Sequence, residues 1–330
     1  VRIVCGPASQ GDSTLIVCSA EPATVSEIRI TVFDFGTSSS REPLKEYAAA
    51  QLTALRNERA GAGATEVRLT IRIIISHPDS DHHNCVEELL TAARGVFGPE
   101  NVNVDYVLAG GRIDDWSTTT THTDKGGKTH KKVVWHKFGG VDVWLLKDKC
   151  VGQGDCLEKT HLEETPDDFT TWCGDRAHVQ FTLLHANGGS ASNSNGDSIA
   201  MLVEHGDLSL LLAGDGYQSD HVSSEGGLLD IIDRGAVAPE ASGARPKRSA
   251  ATMSELHCIT AALIPHHGAR GFDVHALQRH VRVPNVNMLL LSGPSMHKAL
   301  HYGHPSCSAI GAFISAIAVC LLYTSDAADE

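Results

Sequence analysis

The stretch EVRLTIRIIISHPDSDHH, residues 66–83, decides how the chain is read. Its first part ends in an unbroken isoleucine run, Ile73 to Ile75. Such a run marks a strand buried on both faces, so the strand predicted over 66–76 belongs inside a sheet rather than at its edge. It delivers the chain directly into His77, Asp79, Asp81 and His82, four ligand residues within six positions. A lone histidine on such a loop reads as an ordinary polar residue. Four ligand residues after a rigid strand read as a metal site, because imidazole and carboxylate suit first-row divalent ions and the strand fixes the loop that presents them.

Upstream, residues 13–18 and 27–35 are strand-like and predict a hairpin that opens the domain. Residues 41–58 carry Leu44, Tyr47, Ala48, Leu52 and Leu55 at helical spacing and stop at Gly61 and Gly63. Downstream, a second helix is expected over 85–94 and a strand over 105–109. Residues 110–176 are polar and glycine-rich and read as an insertion holding one hairpin, built from 133–135 and 141–146. Strands return over 178–184, 198–204 and 208–213, the last two joined by a tight turn at 205–207. A helix over 226–234, an Ala/Pro/Arg-rich link over 235–249 and short strands over 261–264 and 286–292 complete the order. This mixture, with ligand residues at strand ends, predicts an α/β fold of two mixed sheets packed face to face with helices outside.

Composition limits the function. With 27 Lys+Arg against 40 Asp+Glu, the 330 residues carry a formal charge of −13, which repels a long nucleic-acid backbone and argues against a sequence-reading DNA binder. It argues less against an enzyme whose bound cations hold one phosphate, since those cations are missing from the count. Lys125, Lys128, Lys131 and Lys132, and the cluster Arg245, Lys247 and Arg248, read first as solvated loop charges and second as a grip on a phosphate backbone. The nine cysteines form no C-x-x-C pair and read as free buried thiols, with Cys150, Cys156 and Cys173 close enough in sequence for one disulfide. The apolar run 309–322 is too short to cross a bilayer, which takes about 20 residues. The chain starts at Val1 and enters a strand at once, so its true start, with any signal peptide, is expected upstream and localisation is not readable. Residues 320–330, CLLYTSDAADE, read as translated sequencing adapter, which leaves 1–319 as one domain with the insertion at 110–176.

The loop resembles the H-x-H-x-D-H signature of the metallo-β-lactamase superfamily, in the H-x-D-x-D-H variant of ComEC-like (competence protein) hydrolase domains. Five further stretches are similar to that family's motifs in the same order: SQGDS at 9–13 with LIV at 15–17, FDFG at 33–36, LH at 184–185 with NGDS at 195–198, LAGD at 212–215, and PHHG at 265–268 with YGHPS at 302–306. The resemblance implies a metallo-β-lactamase-like αββα sandwich and two divalent metal ions, zinc or manganese. It implies that His77, Asp79 and His185 hold one metal, Asp81, His82 and His266 the other, with Asp215 bridging. His267 is the runner-up for the ligand at 266, and Asp34 is expected to orient the loop from behind. Two features depart from the family. His83 and Asn84 stand where small residues are usual, which predicts a narrower pocket rim, and the insertion separates His82 from His185.

The expected chemistry is hydrolysis by water activated between two metals. Asp81 is the candidate for orienting the water, and His304 for contacting a charged oxygen or protonating the leaving group. A carboxylate-rich site suits hard phosphate oxygens, so the expected substrate is a small-molecule or nucleic-acid phosphodiester. A lactone, β-lactam or ester hydrolase and a non-catalytic partner-binding module are the alternatives, because fold does not choose among them.

Overall fold

The central strand forms where the isoleucine run predicts it. The computed structural model describes residues 2–6, 8, 12–19, 25–123, 129–146, 157–158, 179–185, 194–205, 208–216, 261–263 and 288–290. The first sheet has the order β1 (Arg2–Cys5), β2 (Ser13–Ser19), β3 (Val25–Phe35), β4 (Glu66–Ile75), β5 (Val102–Ala109), β9 (Val141–Leu146) and β10 (Leu157–Glu158), with β8 (Lys137–Phe138) paired to β9 off this path. Strands β3, β4, β5 and β9 run parallel, and β1, β2 and β10 are antiparallel to their neighbours. The second sheet has the order β11 (Val179–His185), β12 (Ala200–His205), β13 (Leu208–Leu212), β14 (Ala261–Leu263) and β15 (Met288–Leu290), antiparallel to β13 and parallel beyond it. Both sheets are mixed and the fold is α/β.

Two hydrophobic cores flank the first sheet. On one face, Ile71, Ile73 and Ile75 pack with Leu44, Ala48, Leu52 and Leu55 of α1 (Glu42–Gly61) and with Val86, Leu89, Leu90, Ala93 and Phe97 of α3 (Val86–Phe97). Those helix positions recur at three- and four-residue spacing, which gives each helix one apolar face to bury. On the other face, Ile74, Phe33 and Leu108 share a core with Phe181, Met201, Val203, Leu210 and Leu212 of the second sheet. The alternation of strand side chains sends successive isoleucines into different cores, so the run has no polar member to spare. Arg72 is the exception. It is buried, pairs with Asp105 through Nε at 2.8 Å and lies 4.5 Å over the Tyr106 ring.

The segment 110–176 differs from the expected insertion. Residues 133–135 and 141–146 do not pair with each other. Instead β6 (Ser117–Thr123) pairs antiparallel with β7 (Thr129–Trp135) as a separate two-stranded ribbon, while β9 joins the main sheet beside β5. The reason is burial: Val143, Trp144 and Leu145 are core residues, which a solvated hairpin would leave in water. The threonine run 118–121 is exposed and extended, as β-branched residues favour. The helices run to Gly61 and Phe97, past the expected ends at 58 and 94, and a short helix α2 (Ser80–His83) forms within the ligand loop. Cys18 is disulfide-bonded, against the free-thiol expectation, whereas Cys5 and Cys85 are free. The helix expected at 226–234, the link 235–249 and its basic cluster, Lys125, Lys128, Cys150, Cys156, Cys173 and both termini lie outside the described residues. No helix among the described residues is long and apolar enough to cross a membrane.

Because both faces of β4 are buried, Ile73→Ala and Ile74→Ala should each cost about 2–5 kcal/mol in urea unfolding. Tolerance at Ile74 comparable to that of a surface site would contradict the core shared between the sheets.

Candidate metal centre

Ser76 is the first residue beyond β4, and Asp34, Ile199 and Gly214 converge on it. Its N–H donates to Asp34 Oδ1 at 2.6 Å and its hydroxyl to Asp34 Oδ2 at 2.7 Å. Its carbonyl accepts from Ile199 N at 2.8 Å, which ties the start of β12 to the ligand loop. Gly214, just past β13, has φ of 52°, and a Cβ there would stand 2.6 Å from the Ser76 Cβ. Glycine therefore lets the end of β13 reach the loop in a left-handed conformation. Gly36 serves the same approach from β3, since a Cβ on it would meet the backbone of Asp81 and His83.

These contacts set the proton positions on two histidines. Asp34 Oδ2 accepts from His82 Nδ1 at 2.9 Å. Ser76 has one hydroxyl proton, already given to Asp34, so at 3.0 Å it accepts from His77 Nδ1. Both imidazoles therefore carry hydrogen on Nδ1, and Nε2 of each is the atom available as a ligand. Asp34, His77, His82 and Ser76 are all fully buried. Asp34 sits at φ of 54°, uncommon for a residue with a side chain, and this turn at the end of β3 aims its carboxylate into the loop.

Asp215 faces both Nε2 atoms. Its Oδ1 is 3.4 Å from His82 Nε2 and its Oδ2 is 3.9 Å from His77 Nε2, while Asp79 Oδ2 is 3.5 Å from His77 Nε2. Two donors about 2.0–2.1 Å from one tetrahedral ion sit roughly 3.3–3.4 Å apart. The first and third separations match that spacing and exceed hydrogen-bond length. His77 Nε2 is buried and makes no hydrogen bond among the described residues, a costly state that a cation would relieve. His77, His82 and Asp215 thus form a buried group that could hold a metal ion. A second group, Asp12, Asp34 and His82, is better read as support, because the 2.9 Å from His82 Nδ1 to Asp34 is a hydrogen bond and too short for two ligands of one ion. Burial disfavours charge on the His82 imidazole, but Asp215 and Asp34 outweigh it and raise its pKa well above the ordinary histidine range. Protonation of Nε2 and metal ligation by Nε2 exclude each other, so metal affinity at this site falls as pH falls.

Of the remaining expected ligands, Asp81 belongs to neither group. His185 ends β11 opposite Ala200, so its backbone lies at the same end of the sheet as Ser198, whose hydroxyl accepts from Asp215 N at 3.2 Å. His266, His267 and His304 lie outside the described residues. The sequence assigned no role to Asp12 and only a general polar one to Ser76. Their signals were the SQGDS motif and the serine directly before the first ligand. His83 and Asn84, the two residues that depart from the family pattern, make defined contacts of their own. Asn84 accepts from Thr37 N at 3.0 Å and donates to Thr37 O at 2.8 Å, while His83 meets Pro78, Trp116 and Phe138. Compared with known proteins, the chain matches no family model and no curated protein.

Asp34→Asn keeps a side chain tolerant of positive φ but removes the charge that orders both histidines. Zinc affinity, measured by chelator competition, should fall about 10–100-fold. Undiminished affinity would show that Asp34 does not order the ligands.

Proposed function

We propose that the chain is a metal-dependent hydrolase of the metallo-β-lactamase type, close to the ComEC-like domains, that cleaves phosphodiesters at a dinuclear site. The observation that carries the reading is the Asp215 carboxylate, with one oxygen toward His77 Nε2 and the other toward His82 Nε2. A carboxylate so disposed suits a bridge between two cations. In this reading His77, Asp79 and His185 serve one ion and Asp81, His82 and His266 the other, with two mixed sheets and outer helices forming the αββα frame of that superfamily. Two zinc or manganese ions would supply Lewis acidity and lower the pKa of water toward neutrality.

The chain's own residues do the rest. Asp34 and Ser76 hold His77 and His82 in the tautomers that leave Nε2 for ligation. Asp81 orients the attacking water. His304 protonates the leaving oxygen or steadies a charged one, as the resemblance at YGHPS suggests. Asp79, a carboxylate where imidazole is usual, makes the first position harder and favours manganese and anionic phosphoryl oxygens over a neutral amide.

Metal analysis after supplemented expression should find about two equivalents of zinc or manganese; less than half an equivalent would overturn the site. Asp215→Ala should abolish turnover in a protein that still folds. His304→Ala should slow it roughly 100-fold or more with metal content intact. A panel of bis-aryl phosphodiesters and short single-stranded DNA against lactones and β-lactams decides the class. Cleavage confined to lactones or lactams would replace the substrate assignment, and normal metal content without turnover on either set would favour a binding module.

A further inference from the structure

His83 immediately follows a candidate ligand, yet its side chain makes no contact that the proposed chemistry uses. It closes α2, and its ring lies edge-on to Trp116 with centroids 5.1 Å apart and to Phe138 at 6.0 Å. Trp116 is itself buried, and its Nε1 donates to Gly110 O at 2.8 Å, so the box that holds the imidazole is anchored at the end of β5. From that box His83 Nε2 reaches Pro78 O at 3.1 Å. A carbonyl only accepts, so Nε2 carries the hydrogen. Pro78 has no N–H, and its carbonyl belongs to the peptide that leads into Asp79. The bond thus closes a ring of six residues, Pro78 to His83, around one edge of the ligand loop. Freed from it, that peptide could rotate and carry Asp79 away from its 3.5 Å approach to His77 Nε2.

We infer that His83 is a positioning residue for the metal loop: its Nε2–H holds the Pro78 carbonyl between His77 and Asp79, and Trp116 and Phe138 hold its ring. The inference rests on the reading of this loop as a metal site. It assigns to α4 (Ile113–Trp116) and β8, which the sequence placed in an insertion, the task of bracing the loop. His83 acts through the backbone and touches neither ion nor substrate.

The test uses the full chain and cobalt(II) as the probe. His83→Leu keeps bulk and loses the donor, whereas His83→Gln keeps an N–H. The leucine variant should bind cobalt about 10–100-fold more weakly, with an altered visible absorption spectrum, and the glutamine variant should return to within about threefold of the parent. The metal-free leucine and glutamine proteins should melt alike, which a purely structural role would not give. Nitrogen shifts of His83 in the unaltered zinc-loaded protein give a readout that needs no variant to fold, and they should report the Nε2–H tautomer. Parent-like cobalt binding by the leucine variant, equal losses in both variants, or an Nδ1–H tautomer would each overturn the inference while leaving the metal site standing. An unaltered protein that takes up no cobalt would overturn the metal reading, and this inference with it.

Discussion

One buried carboxylate organises the site. Asp34 takes the Ser76 backbone and hydroxyl protons and the Nδ1 proton of His82, and through the Ser76 hydroxyl it also settles the proton on His77. Each bond is short and inaccessible to water, where charge-assisted hydrogen bonds are strongest. The chain of donors has a direction, since each proton moves one step nearer the charge. Turning the Ser76 hydroxyl toward His77 instead would leave Asp34 Oδ2 facing a hydroxyl oxygen with no proton between them. This constraint aims both Nε2 atoms toward Asp215.

The sheets exist, in effect, to bring that carboxylate and its dependants together. Asp34 comes from the end of β3, Ser76 and His77 from the end of the adjacent parallel strand β4, and Asp215 from the end of β13 in the other sheet. Parallel neighbours present their ends on one side, so β3 and β4 deliver their residues to the same place without a long loop. The second sheet arrives by the Ile199–Ser76 hydrogen bond and by the missing side chain of Gly214. The isoleucines of β4 hold both layers in register behind it, with Ile74 facing one layer and Ile73 and Ile75 the other. Close packing makes such a frame stiff, and a stiff frame is what separations of a few tenths of an ångström require.

The concentration of negative charge fits the same picture. Asp12, Asp34 and Asp215 are all buried within reach of His82. Burying carboxylates is unfavourable unless positive charge accompanies them. Burial works against charge on the His82 imidazole, but Asp215 and Asp34 outweigh it and raise its pKa well above the ordinary histidine range, which favours positive charge among them. A divalent ion held by His77, His82 and Asp215 would supply more. Under the proposed reading, a bound cation would offset part of the formal charge of −13 at this point.

Much of this was legible from residue order alone. The isoleucine run marked the central strand, the leucine spacing marked α1, and the packing of ligand residues into 77–82 marked the loop, because each signal is local and periodic. The α/β class followed from the alternation of such elements. What the sequence could not carry was partnership between distant residues. It read 141–146 as part of an insertion hairpin, whereas β5 claims that strand, since pairing depends on which apolar surface is nearest in space. It did not show that Thr37, beyond the end of β3, and Pro78, in the same loop, draw the side chains of Asn84 and His83 to themselves. It saw Asp34 as a support but not that one carboxylate governs two histidines through a serine. Hydrogen-bond direction is a property of atoms brought within 3 Å, and only the tertiary structure decides which atoms those are.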